Sequence, residues 1–252
     1  VTDDELAELL HDCPALYHVA ARGSWASIRQ NGLLSTSALL DLWEVKGHQR
    51  EAIEAARRPE NAVIEHPILG RAVVRDQKPL DEAGLLRCLQ DGLTPKDWYR
   101  LLNARVFFWL SRGRLHRLLT ARPYRELEHD VLEVDAAALV TAYRAKITLS
   151  PINSGATKPF PRARGRDTFL PIADYPYADW RVRRAAGERV VELSVLGGVP
   201  DMERFVLRVT TMRGERPVGA LFERPDAAPS ASDVSGHSPR RYRLSIKRGQ
   251  PP

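Results

Sequence analysis

Apolar positions along this chain come in short runs of two different periods. "LYHVA", residues 16–20, places strand-forming residues around His18. Ser24 follows as a helix N-cap, Trp25–Gln30 gives one or two helical turns, and Asn31-Gly32 is the stop. This first strand and helix end near Leu40. Residues 41–104 read as a helical insertion carried by "QREAIEAARR", "DEAGLLRCLQDG" and "TPKDWYRLLN". The last has Thr94 as N-cap and Pro95 at the first helical position. "RVFFWL", 105–110, has the length of a buried strand, and "SRGRLHRLL" after it is a basic amphipathic helix.

Further on, "DVLEVD" (130–135) alternates like a strand and leads into "AAALVTAY"; "AKITLSP" is another short strand. "RVVELSVLGGVP" (189–200) is a strand ending in a turn, with "ERFVLRVTTM" (203–212) as its expected neighbour. Ahead of both, 151–184 is rich in Pro, Gly, Asn and Arg and shows no clear regular structure, the mark of a functional or disordered segment. Short mixed strands with the helices gathered mostly in one insertion predict an α+β fold.

Composition adds bounds. At 252 residues, 43% hydrophobic and 28% charged, the chain can bury a core. The expected division is one domain over 1–224 and a flexible tail over 225–252, which has five Pro and five Ser. No apolar run has membrane-spanning length, and residues 1–15 carry acids where a signal peptide needs basic and apolar residues. The expectation is a cytoplasmic protein without a membrane partner. Cys13 and Cys88 fit neither a disulfide framework nor a zinc site, so no metal is expected.

The net charge of +6 is unevenly placed. Residues 158–184 hold seven Lys/Arg against three Asp, and 225–252 hold five against two. Phe160, Phe169, Tyr175, Tyr177 and Trp180 punctuate the internal segment. That mixture suits a backbone-plus-stacking grip on DNA or RNA; a packed lid that only orders a pocket is the alternative.

No G-x-G-x-x-G follows a strand, and no Walker A, H-E-x-x-H or G-x-S-x-G motif occurs. Three features remain: His18, the aromatics of "VFFWL", and Glu192 within "VVELSV". A carboxylate in an apolar strand is costly unless it faces a cleft or has a partner. Otherwise it points outward from an edge strand, and His18 is a buried ring bonded to backbone.

"LYHVAARGSWASIRQNGLL" resembles the opening of ADP-ribosyltransferase-fold proteins, especially the DarT-type toxins that modify DNA. "RVFFWLSRGRLHRLL" is similar to that family's aromatic strand and following helix, and "VVELSVLGGVPDMERFVLRV" to the region of its catalytic glutamate. The chain also looks like an uncharacterised bacterial family that shares these signatures and a similar "SPINSGATKPFPRARGRDTFLPI". The resemblance covers roughly 16–40 and 104–212. "STS" at 35–37 is similar to a motif of arginine-modifying toxins but directly follows the first helix. Val190 also stands where those toxins place Glu or Gln, so that branch is disfavoured.

The resemblance implies a split mixed sheet and a bacterial mono-ADP-ribosyltransferase of the toxin kind, using NAD as substrate, with an antitoxin as a possible partner. Glu192 is then the catalytic residue; His18 holds a ribose, Phe107 or Trp109 flanks the nicotinamide, and Arg22 and Arg29 approach the pyrophosphate. Surface salt bridges are the alternative for those two arginines. Arg105, Arg164 and Arg166 are candidates to assist near the acceptor, and Arg162, Arg164 and Arg166 to bind it. His18 and Glu192 are expected across one cleft on adjacent strands. A non-catalytic nucleic-acid-binding module and an RNA phosphate-transferring enzyme are the alternatives on the same fold.

Overall fold

The computed structural model describes residues 1–225. The expected tail therefore lies, after its first residue, outside the described residues. The chain opens with helix α1 (Asp3–Asp12), whose first turn is fixed by a capping box between Thr2 and Glu5. Strand β1 (Ala15–Ala21) follows, then α2 (Trp25–Asn31). Ser24 sits at the cap position but makes no side-chain capping bond. Asp130 does that work instead: its Oδ2 accepts from Gly23 and Trp25 N–H at 2.9 and 3.3 Å.

Gly32 ends α2 at φ +85°, where a Cβ would lie 2.5 Å from Pro200 backbone. That close approach lets β2 (Leu33–Leu34) pair with β10 (Gly198–Val199) across the molecule. Ser35 caps α3 (Thr36–Leu42), its Oγ accepting from Ala38 N–H at 3.2 Å, so "STS" is a helix start.

The insertion is only partly helical. It contains α4 (Gly47–Glu54), α5 (Glu82–Cys88) and α6 (Pro95–Asn103), the last with the expected Thr94 cap. Between α4 and α5 the chain forms a hairpin of β3 (Ala62–His66) and β4 (Gly70–Val74). Ile64, Ala72 and Val74 bury one hairpin face against Trp43, Val45 and Ile53. The period-2 signal was there, in a region read as helix.

β5 (Arg105–Trp109), α7 (Arg112–Leu119), β6 (Glu128–Asp135), α8 (Ala136–Tyr143) and β7 (Ile147–Ser150) follow the expected pattern. The 151–184 segment is more ordered than expected. It holds β8 (Leu170–Pro171) and α9 (Tyr177–Arg183), and it buries Phe169, Tyr175 and Tyr177. β9 (Glu192–Leu196) precedes β10; β11 (Val206–Arg213) and β12 (Arg216–Glu223) complete the described chain.

An α+β architecture results, with one eight-stranded sheet in the order β12-β11-β6-β1-β5-β9-β7-β8. The expected pairing of 203–212 with the glutamate strand does not occur: β11 lies between β12 and β6. β9 is interior, between β5 and β7, so residues 190–195 are all buried and polarity does not alternate along them. One sheet face packs on α1, α2 and α8 around Leu16, Phe108 and Leu193. The other meets α7 through Val19 and Val131, and α5 and α6 through Phe107 and Phe169. Among the described residues no helix is long and apolar enough to cross a membrane, and no cluster of three metal-ligating side chains occurs.

Candidate functional site

β1 and β5 are neighbours in the sheet, yet they share one register pair, Tyr17 with Trp109. Beyond it the strands part, and a cavity of about 510 Å³ opens between them. Consecutive residues of both strands line it, Tyr17 to Ala21 on one side and Arg105 to Trp109 on the other. Alternation would bring only every second residue to a cavity on one face. This one runs between two strand edges.

His18 is set by that gap. Its Nδ1 donates to the Phe107 carbonyl at 2.9 Å, across the space where ladder hydrogen bonds would lie. A carbonyl only accepts, so Nδ1 carries the proton and Nε2 is left as an acceptor. Burial pushes the imidazole pKa down to about 4, which keeps the ring neutral at physiological pH. His18 is therefore the backbone-bonded ring of the bland expectation and also a cavity wall.

Glu192 begins β9, in register with Trp109 on one side and Ser150 on the other. It is 4% exposed and lines the same cavity, which excludes the outward-pointing edge position. Burial pushes its carboxyl up to about 7, while hydrogen bonding from Ser154 and the Arg164 charge oppose that rise. Ser154 N–H donates to Glu192 Oε2 at 3.0 Å. Register puts Glu192 on the face shared by Tyr17 and Trp109, with His18 one step out of phase. Parting of the strands brings both to one cavity, although β5 separates β1 from β9 and the expected adjacency fails.

Arg164 sets the Ser154 loop. Fully buried, its guanidinium donates to the carbonyls of Ser154 and Ala156 at 2.7 Å each and of Arg162 at 3.0 Å. It cannot reach an acceptor as well, and neither Arg162 nor Arg166, both exposed, lines the cavity. The expected acceptor-binding trio is thus one structural clamp and two surface residues.

Phe107 and Trp109 line the cavity as expected, Phe107 packing against Phe169 with ring centroids 5.8 Å apart. Arg105 joins them, its guanidinium 4.6 Å from the centre of the Phe169 ring. Arg22 reaches the rim but is paired with Glu128. Arg29 does not line the cavity: its Nε donates to Glu203 Oε1 at 2.8 Å, the surface salt bridge of the alternative reading.

Sequence reasoning missed the opposite wall. Arg58, Arg71 and Arg75 of the insertion all line the cavity. Arg71 and Arg75, on and just after β4, carry a signal in their spacing, since Ala72 and Val74 point into the hairpin core and leave Arg71 and Val73 on the other face.

No curated protein matches the chain. A family profile matches residues 14–206, a span that contains the insertion and every residue lining the cavity. By that match the chain belongs to DUF7002, a family of unknown function.

Proposed function

We propose that the chain is an NAD-dependent mono-ADP-ribosyltransferase, built on an ADP-ribosyltransferase-like split sheet. The reading extends to a bacterial toxin that modifies nucleic acid or protein. One observation carries it: a buried carboxylate, held by a backbone N–H, faces a cavity between parting strands that a neutral histidine also lines.

The reaction breaks the bond between ribose C1′ and the nicotinamide nitrogen, whose electron pair leaves with nicotinamide. Positive charge develops on the ribose in the transition state. Glu192 supplies the opposing charge in a site of low dielectric, where such a pairing is stronger than in water. A carboxyl near pKa 7 is part-protonated in the empty cavity, and the cationic nicotinamide ring beside it favours the ionised form. His18 Nε2 accepts a ribose hydroxyl proton in a hydrogen bond, and Phe107 or Trp109 gives the departing ring an apolar wall. As the acceptor's new bond to C1′ forms, its proton passes to Glu192.

The test incubates labelled NAD with separate DNA, RNA and protein pools. Wild-type protein is expected to label one pool, and Glu192→Gln to keep NAD affinity within about threefold while transfer falls about a thousandfold. Undiminished transfer by that variant overturns the assignment of Glu192. NAD binding without transfer by the wild type points instead to a binding module.

A second reading draws on the arginines of the cavity wall: an RNA phosphate-transferring enzyme needs several cations around its phosphate. An RNA with an internal 2′-phosphate separates the two, because only this second activity removes that phosphate.

A further inference from the structure

Cations and anions are unequally placed around the cavity. Arg58, Arg71, Arg75 and Arg105 all line it, and among the described residues none of them has a carboxylate within ion-pair distance. The acids along it are Glu192, at the β9 end, and Asp76, which accepts from the Tyr124 hydroxyl at 2.6 Å. Asp76 offsets part of the charge of Arg58 and Arg75, and four guanidinium groups against two carboxylates still favour an added anion.

These arginines have different jobs. Arg58 is 6% exposed and donates to the carbonyls of Ile53 and Arg75 and to Asn103 Oδ1, so it holds the backbone at Arg75. Arg105 donates to the Leu101 carbonyl and lies over Phe169. Arg75 reaches across the gap: its Nη1 donates to the Val19 carbonyl at 3.1 Å, and its guanidinium lies 5.3 Å from the centre of the Tyr124 ring. No other hydrogen bond from its guanidinium is found among the described residues. Arg71, exposed on β4, has no partner among the described residues.

A second cavity of about 470 Å³ adjoins the first, and both are lined by Arg22, Arg71, Val73 and Asp76. Arg71 therefore stands where two chambers meet, with Arg75 just inside. An elongated ligand running from Glu192 through the junction places its middle against these two side chains.

We infer that Arg71 and Arg75, carried into the cavity by the β3–β4 hairpin, form a diphosphate subsite that grips the centre of a dinucleotide. The assignment rests on the NAD reading for the ligand's identity. The hairpin is then a working wall of the site, and guanidinium forks match phosphate oxygens in shape and charge.

Titration calorimetry on the full chain tests it with five probes: NAD, ADP-ribose, inorganic pyrophosphate, nicotinamide, and a short 5′-phosphorylated oligonucleotide. Arg71→Gln is the primary variant because its exposed side chain has no partner to lose among the described residues; Arg75→Gln is the second. Each is expected to weaken ADP-ribose and pyrophosphate by about tenfold while nicotinamide binding stays unchanged. ADP-ribose affinity within twofold of wild type in both variants overturns the subsite, and leaves the NAD reading standing if NAD still binds. Pyrophosphate binding that depends on Arg71, with no binding of NAD or ADP-ribose, upholds the anion subsite and defeats the NAD reading. Tighter, Arg71-dependent binding of the oligonucleotide than of ADP-ribose overturns the dinucleotide as occupant in favour of a nucleic-acid phosphate.

Discussion

Residues 158–184 and the insertion over 41–104 are opposites by count and by structure. The first carries seven Lys/Arg against three Asp; the second holds ten against eleven acids. Yet in the basic segment Arg164 is bonded to three carbonyls, Arg181 pairs with Glu8 at 2.6 Å, and Arg184 donates to the carbonyls of Pro151 and Glu188. The nearly neutral insertion delivers Arg71 and Arg75 to the cavity, neither with a carboxylate in ion-pair distance among the described residues. Charge available to a ligand is what internal hydrogen bonds leave over, and net charge along a segment does not measure it.

Substituting Arg164 tests that contrast most severely. Arg164→Met leaves the Ser154, Ala156 and Arg162 carbonyls without their donor, and the expected loss of stability is about 3–5 kcal/mol. Chemical denaturation measures it. A loss below about 1 kcal/mol would mean that the basic segment's charge is free after all.

Next in size is the pH dependence of Glu192. Its carboxyl is raised from 4.5 to about 7 on folding, so the ionisation penalty is absent below about pH 4.5 and fully present above about 7. Glu192→Gln should therefore stabilise the protein at pH 8, relative to its effect at pH 4, by roughly 3 kcal/mol. Parallel stability curves for the two proteins would show that this carboxylate is not desolvated.

The smallest effect belongs to the exposed pair. Arg162→Ala with Arg166→Ala should change stability by less than about 0.5 kcal/mol. Binding of DNA and RNA across salt concentrations then asks whether these residues meet phosphate. A flatter salt slope in the double variant would return nucleic-acid contact to this surface, and an unchanged slope would remove it.

Much of the fold was legible because local signals agreed with the tertiary outcome. Thr94-Pro95 starts α6, Gly32 ends α2, and "VFFWL" forms a central strand. The hairpin was obscured by flanking helix-formers, since its alternating face is buried against the insertion's own Trp43 and Val45. α9 was obscured by proline and arginine content, although Tyr177 anchors it in the main core. Glu192 stood out because a carboxylate in an apolar run demands an explanation. Arg75 carried no such mark: it meets Val19 across 56 residues of chain, and only the docked insertion reveals the contact.

The parted strands also bear on solubility. Where β1 and β5 separate, each has an unpaired edge inside the sheet, and unpaired edges are templates for adding a foreign strand. Here the guards are side chains: Arg75 occupies the Val19 carbonyl and His18 occupies that of Phe107. Both guards are polar groups that a ligand can enlist without unsealing the edge to another chain. Removing them together would leave two inward edges bare, turning a binding cleft into a seed for intermolecular sheet growth.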